Sequence, residues 1–159
     1  MDNKPETNLN DEYFMREAIT LALEAAERDE VPVGAVAVKD GEIIARSSNT
    51  REESKCATHH AELLAIEASC RALGGWRLPG VTLYVTMEPC AMCAGAIINA
   101  RVPRVVYGAP DLRFGAFGSA FNLAEIPLNH KPEIVGGVLR EECAKILSDY
   151  FKGKRKTKA

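Results

Sequence analysis

The stretch from Val81 to Ala100, VTLYVTMEPCAMCAGAIINA, constrains the fold more than any other part of the chain. Val81 to Thr86 is an apolar, β-branched run and predicts a buried strand. Pro89 suits a first helical turn. The segment Cys90 to Ala100 is small and apolar on all sides, which fits a helix packed deeply or held in an interface. A buried strand running straight into such a helix belongs to an α/β layered sheet.

The flanking patterns agree. From about Asn10, with Asn10 or Asp11 available as a cap, Phe14, Ala18, Leu21, Ala22 and Ala25 fall on one helical stripe. Val33 to Val38 reads as a strand, and Asp40-Gly41 is a hairpin signal that returns the chain along Glu42 to Ser47. Residues 48–58 are polar and loop-like. A helix is expected from about Thr58 to Leu73, stopped by Gly74-Gly75. Further strands are expected at Val102 to Gly108 and Ile134 to Val138, separated by a long loop over 109–131 with a helical turn. An amphipathic helix, Glu141 to Lys152, closes the chain. Starting from a hairpin and continuing by alternation, the sheet is expected to be mixed, with helices on both faces. The domain reading is a flexible start over 1–9, one domain over 10–152, and a basic C-terminal tail over 153–159.

With 159 residues, 47% of them apolar and 26% charged, one soluble domain can bury a full core. No apolar run reaches the roughly 18 residues needed to span a bilayer, and MDNKPETNLNDE resembles no secretory or transit signal, so a cytoplasmic location is expected. The net charge of −2 is unevenly spread: residues 1–30 hold nine acids and three bases, whereas residues 31–159 hold thirteen acids and seventeen bases. Five of those bases lie between Lys152 and Lys158 with no acid among them. Such a block is either a solvated end or a contact for a phosphate backbone.

Among five cysteines, Cys90 and Cys93 form a Cys-x-x-Cys pair, and Cys56, Cys70 and Cys143 read as small apolar side chains. Cys90 and Cys93 project to one side of a helix start, where free backbone N–H groups favour thiolate. Two of the three histidines, His59 and His60, stand side by side in CATHHAELLAI, also at a helix start. One imidazole and two thiolates suit zinc, and three protein ligands leave a position open for water, as catalytic zinc sites do. Glu62, two residues beyond His60, is placed to take and pass protons rather than to bind metal. Helix geometry alone leaves His59 and His60 both open as the ligand, since they lie only about 100° apart.

The phrase His60-Ala61-Glu62, followed by Pro89-Cys90-Ala91-Met92-Cys93, matches the His-x-Glu…Pro-Cys-x-x-Cys signature known for zinc-dependent nucleobase deaminases, and it selects His60. From about Tyr13 to Lys152 the chain resembles the bacterial tRNA-specific adenosine deaminases, within the cytidine-deaminase-like superfamily. Beyond the zinc motif, the resemblance rests on Val33-Gly34-Ala35-Val36, Asn49, Val106-Tyr107-Gly108-Ala109, Asp111, Gly115-Ala116, Gly118-Ser119 and Leu128-Asn129-His130.

The resemblance implies a three-layer α/β/α domain around a mixed five-stranded sheet. It implies hydrolysis of the cyclic amidine C–N bond of the wobble adenosine in a tRNA anticodon stem-loop, giving inosine, and a homodimer whose two subunits contact the RNA. Under it, His60, Cys90 and Cys93 hold one Zn2+ per subunit, and Glu62 is the catalytic proton carrier. Asn49, Ala61, Asp111 and Asn129 are substrate-binding, and His59, Phe151, Lys152, Lys154 and Arg155 are RNA-contact candidates. Phe114, Phe117 and Tyr150 join them as aromatic candidates for an RNA groove. His59 stands where the family commonly has alanine, and Phe117 where it has a small residue. Two other readings are deamination of a free base or nucleoside such as cytosine, guanine or cytidine, and a non-catalytic zinc-containing RNA-binding subunit.

Overall fold

A computed structural model of the chain describes residues 9–157. Five strands form one sheet in the order β2-β1-β3-β4-β5, with β1 Gly34–Lys39, β2 Glu42–Ser48, β3 Val81–Met87, β4 Arg104–Ala109 and β5 Glu133–Gly136. β1 is antiparallel to β2 and to β3, whereas β3, β4 and β5 run parallel, so the sheet is mixed as expected. The helices are α1 Leu9–Glu27, the short α2 Arg51–Ser54, α3 Ala61–Leu73, α4 Ala91–Asn99 and α5 Arg140–Thr157.

The alternation of side chains along a strand sorts the core into two layers. Ala35, Ala37, Leu83, Val85 and Val105 face one side, packed with Ala61, Ala65, Ala94 and Ile97 from α3 and α4. Val36, Val38, Tyr84 and Val106 face the other, packed with Phe14, Met15 and Ala18 from α1 and Cys143 and Leu147 from α5. The central strands therefore carry apolar residues at successive positions, which is why β3 reads as a continuous run rather than an alternating one.

The turn signals act where the sequence puts them. Asp40 and Gly41 both have positive φ, 52° and 77°, the backbone that a two-residue hairpin requires. Gly74 ends α3 in the left-handed conformation, its N–H donating to the Cys70 carbonyl at 2.9 Å. Gly34 is glycine for another reason. A Cβ there would strike the Ala18 carbonyl and come within 2.7 Å of Ala22 N, so α1 lies on β1 at backbone distance.

Several boundaries differ from the sequence reading. Helix α3 starts at Ala61 rather than Thr58, because His60 is its cap with extended φ and ψ. The polar loop over 48–58 contains α2, whose Glu52 and Glu53 N–H groups donate to the buried Glu30 carboxylate, at 2.6 Å for Glu52. Pro89 precedes the cap Cys90 instead of opening the first turn of α4. The stretch read as a flexible start already joins α1 at Leu9, and its remainder, 1–8, lies outside the described residues. The basic segment read as a tail over 153–159 continues α5 as far as Thr157, since lysine and arginine form helix well and favour its C-terminal end. Residues 158–159 lie outside the described residues. No helix among the described residues is long and apolar enough to cross a membrane.

Candidate active site

Helices α3 and α4 begin at the same edge of the sheet, beyond the C-terminal end of β3, where open α/β sheets generally place their ligands. His60 caps α3 and Cys90 caps α4, and neither side chain makes a capping hydrogen bond. Their carbonyls accept the first intrahelical bonds, from Leu64 N–H and Ala94 N–H. Both side chains are thereby free to turn toward each other. His60 Nδ1 lies 3.8 Å from Cys90 Sγ and 3.5 Å from Cys93 Sγ.

That spacing tests the donors against a metal. A tetrahedral zinc with nitrogen at about 2.0 Å and sulfur at about 2.3 Å holds nitrogen and sulfur roughly 3.6 Å apart. All three donor atoms lie within 4.8 Å of one another, so the group could hold a metal ion with little rearrangement. The five cysteines are all free, and Cys93 and Cys143 are the buried ones. The Cys90 thiol is brought down to about 4, chiefly by the hydrogen bond from the Cys93 thiol, with His60 adding to it. The same hydrogen bond, together with burial, pushes Cys93 up. His60 is raised, first by its hydrogen bond with Cys90. Cys90 is thus the readier thiolate of the two.

Glu62 sits in the first turn of α3 and is only 4% exposed. Burial raises its pKa, which makes it a better proton acceptor than a solvated carboxylate. A cavity of about 370 Å³ opens over Glu62, His60 and Cys90. Ala61 and Asn49 line it, together with Val31, Val33 and Met87. Asn49 is held by its own backbone surroundings: its Oδ1 accepts from Arg51 N–H at 3.3 Å, and its N–H donates to the Val33 carbonyl at 3.1 Å. Asp111 and Phe114 form the outer wall. The Asp111 carboxylate also accepts from the N–H groups of Arg113 and Phe114, at 3.0 and 3.1 Å, and so shapes the turn that carries Phe114 to the cavity.

The chain is similar to curated proteins and solved structures along nearly its whole length. The model of the MafB19-like deaminase family matches residues 9–155. The tRNA-specific adenosine deaminase of Bacillus subtilis is 53% identical over 149 residues, covering 93% of this chain and 92% of the relative. This chain belongs to the tRNA-specific adenosine deaminase family. A structure from a study of A-to-I editing by tRNA:A34 deaminases superimposes with a TM-score of 0.81 at 48% identity, covering 85% of this chain and 99% of that one. A guanine deaminase from Nitrosomonas europaea shares the fold at a TM-score of 0.74 but only 25% identity, covering 87% of this chain and 83% of its own. The family's fold, a mixed five-stranded sheet between helical layers, is the one described above.

Not every residue singled out in the sequence comes to this cavity. Asn129 is exposed and lines a separate hollow with Gly95, Ile98 and Arg101. The loop that carries it runs past the end of α4, away from His60. Phe117 is 4% exposed and packs in the α3–α4 core layer, so its side chain is not at the surface for RNA. His59 is half-buried beside the cavity, and its Nδ1 is buried with no hydrogen-bond partner. Lys154 and Phe151 line a second hollow with Tyr150, which meets the first at Val31, Asn49 and Arg51. Lys152 and Arg155 are exposed nearby on α5. Sequence reasoning gave no role to Glu88, an enclosed carboxylate at the cavity, although it stands in the phrase Met87-Glu88-Pro89-Cys90 that leads into the zinc motif.

Proposed function

We propose that this chain hydrolyses the C6 amino group of the wobble adenosine in a tRNA anticodon loop, water entering and ammonia leaving, to give inosine. One observation carries the reading: a buried Glu62 faces the cavity beside the His60, Cys90 and Cys93 donors, in a chain whose 53%-identical relative is a tRNA-specific adenosine deaminase. His60, Cys90 and Cys93 would hold one zinc ion. When bound, zinc supplies a water acidic enough, with a pKa near about 7, to act as nucleophile at neutral pH.

The chain's own residues do the rest. Glu62, made a stronger proton acceptor by burial, takes the water's proton and gives it to the ring nitrogen next to C6, then takes the second proton from the new hydroxyl on C6 and delivers it to the departing amine. Val31, Val33 and Met87 give the flipped base apolar walls, and Asn49 offers an amide at its edge. The neighbouring hollow along α5, with Tyr150, Phe151 and Lys154, supports a path for the flanking nucleotides, since single strands are bound by stacking and by cations.

Two further readings go with this one. The enzyme acts in the cytosol, where its tRNA substrate is. It works as a homodimer. The exposed Leu128, beside the open face of α4 at Gly95, supports a subunit contact.

The test is turnover of zinc-loaded protein on an adenosine-wobble anticodon stem-loop, on free adenosine, and on guanine and cytosine, with inosine and ammonia assayed. Inosine formed in the stem-loop alone supports the proposal. Turnover of a free base with the stem-loop untouched would overturn it and leave a salvage deaminase.

A further inference from the structure

The strand that ends at Met87 is followed by a carboxylate with no solvent: Glu88 is 3% exposed. Four donors from one loop surround it. Oε1 accepts from Asp111 N–H at 3.2 Å and from the Ser119 hydroxyl. Oε2 accepts from Phe117 N–H at 3.1 Å and from Ser119 N–H at 3.2 Å. An ionised carboxylate has about four acceptor positions, so its capacity is filled. The loop is also moulded to the group, because a Cβ at Gly115 would collide with the Glu88 carboxylate and with the Asp111 carbonyl.

The loop so held is the one that brings Asp111 and Phe114 to the cavity. The other end of Glu88 is fixed just as firmly, since its N–H donates to the Ala109 carbonyl at 2.8 Å and Pro89 joins it to Cys90. We infer that Glu88 is a positioning residue for substrate binding: it ties the outer wall of the cavity, residues 111–119, to the segment that presents Cys90. It acts through Asp111 and Phe114 and touches no reacting atom. The inference deepens the deaminase reading, and it rests on that reading for the cavity being the substrate site.

Glutamine cannot replace it. Each carboxylate oxygen of Glu88 takes two donors, so in Glu88→Gln one orientation of the side-chain amide sets its NH2 group against the N–H groups of Phe117 and Ser119, and the other sets it against Asp111 N–H, where only the Ser119 hydroxyl can turn to accept. A loosened wall weakens the binding of substrate without altering the atoms that react, and such a change appears in KM rather than kcat.

The experiment compares wild type, Glu88→Gln and Ser119→Ala as zinc-loaded proteins, measuring bound zinc, kcat, KM and amide hydrogen exchange at Asp111, Phe117 and Ser119. Wild-type turnover on stem-loop, adenosine, guanine and cytosine tests the functional reading. The variant-to-wild-type ratio, on whichever substrate is turned over, tests the inference. Glu88→Gln is expected to keep its zinc, raise KM about tenfold and hold kcat within about threefold, with the three amides exchanging faster. Ser119→Ala removes one donor of four and is expected to raise KM about two- to threefold, which reads the inference even if Glu88→Gln does not fold. A wild-type KM in Ser119→Ala, or in a folded Glu88→Gln whose loop amides exchange faster, would overturn it. So would loss of zinc together with kcat, which would make Glu88 a support for Cys90 alone.

Discussion

His60 Nδ1 and Cys93 Sγ stand 3.5 Å apart although 33 residues separate them in the chain. The whole of α3 and β3 lies between, and the two meet because α3 and α4 both start at one edge of the sheet. The core layers beneath do not depend on this meeting, as Val36, Val85, Val105 and Ile97 are fully buried without it. The expected outcome for Cys93→Ala is a folded protein that has lost its metal. Elemental analysis should show zinc falling from one per chain toward none, and a chelator should no longer lower the melting temperature. In wild type, metal at about a thousand times its dissociation constant adds roughly 4 kcal/mol, so the chelator's effect there should be large. A full complement of zinc in the variant would remove Cys93 from the ligand set.

Under the proposed mechanism, Glu62 separates catalysis from metal binding. It lines the same cavity as His60 and Cys90, yet the three donors suffice for a metal without it. Glu62→Gln is nearly isosteric and cannot accept a proton. It should retain zinc and lose turnover by about 10²- to 10⁴-fold, the usual worth of a positioned acid–base group. Single-turnover assays on the stem-loop, beside a zinc measurement on the same sample, decide the matter. Loss of zinc and of folded structure would instead make the glutamate structural.

How far the sequence exposed this site depended on the kind of signal. Glu62, Cys90 and Cys93 were legible as candidates because proton transfer and metal binding need particular side chains at particular spacings. The strands were legible because β1, β3 and β4 are buried on both faces and read as apolar runs. Glu30 and Glu88 were not legible. Each is a buried carboxylate that accepts mainly from main-chain N–H groups of a distant segment, at 51–54 and 111–119, and backbone donors leave no trace in residue type. The place of Asn129 was equally hidden, since a loop's path past α4 is set by tertiary packing. The two loops that border the cavity mouth therefore rest on the two acids that pattern reading ignores.

Acid should weaken the fold at a nameable point. Asp11, near the start of α1, receives Arg104 through two bonds of 2.8 Å and the Tyr84 hydroxyl at 2.7 Å, joining α1 to β3 and β4. Burial alone would raise its pKa, but the hydrogen bonds from Arg104 and Tyr84 and the guanidinium's charge outweigh that and hold it below the usual carboxylate range. A depressed carboxylate contributes stability that is complete above its unfolded pKa of about 3.9 and is lost as pH falls through the folded value. Asp11→Asn should cost about 2–3 kcal/mol at neutral pH, by leaving the mostly buried Arg104 guanidinium with only the exposed Glu133 carboxylate as a charged partner. Denaturant melts from pH 7 down to acid should show the gap between wild type and variant narrowing as pH drops below about 4. A gap constant with pH would mean that Asp11 contributes by shape and not by charge.

The contact of α1 with β1 supplies a sharper stability test, because main-chain atoms cannot turn aside as a side chain can. A Cβ at Gly34 would meet the Ala18 carbonyl, Ala22 N at 2.7 Å and Leu21 Cβ at 2.9 Å. Gly34 N–H also donates to Thr86 Oγ1 at 3.2 Å, which pins β1 to β3 and forbids an easy retreat of the strand. Gly34→Ala should therefore destabilise by about 3 kcal/mol or more, the upper end of overpacking. Gly75→Ala is the matched control: nothing lies within 4 Å of its added Cβ, and it should stay within about 0.5 kcal/mol of wild type. The consequence reaches the site, since Val33 next to Gly34 lines the cavity. A Gly34→Ala protein that remains folded should raise KM along with its lower melting temperature, as the displaced strand shifts that wall. Equal melting temperatures for the two alanine variants would show that α1 rides on β1 loosely enough to move, and the close seat of helix on strand would have to be abandoned.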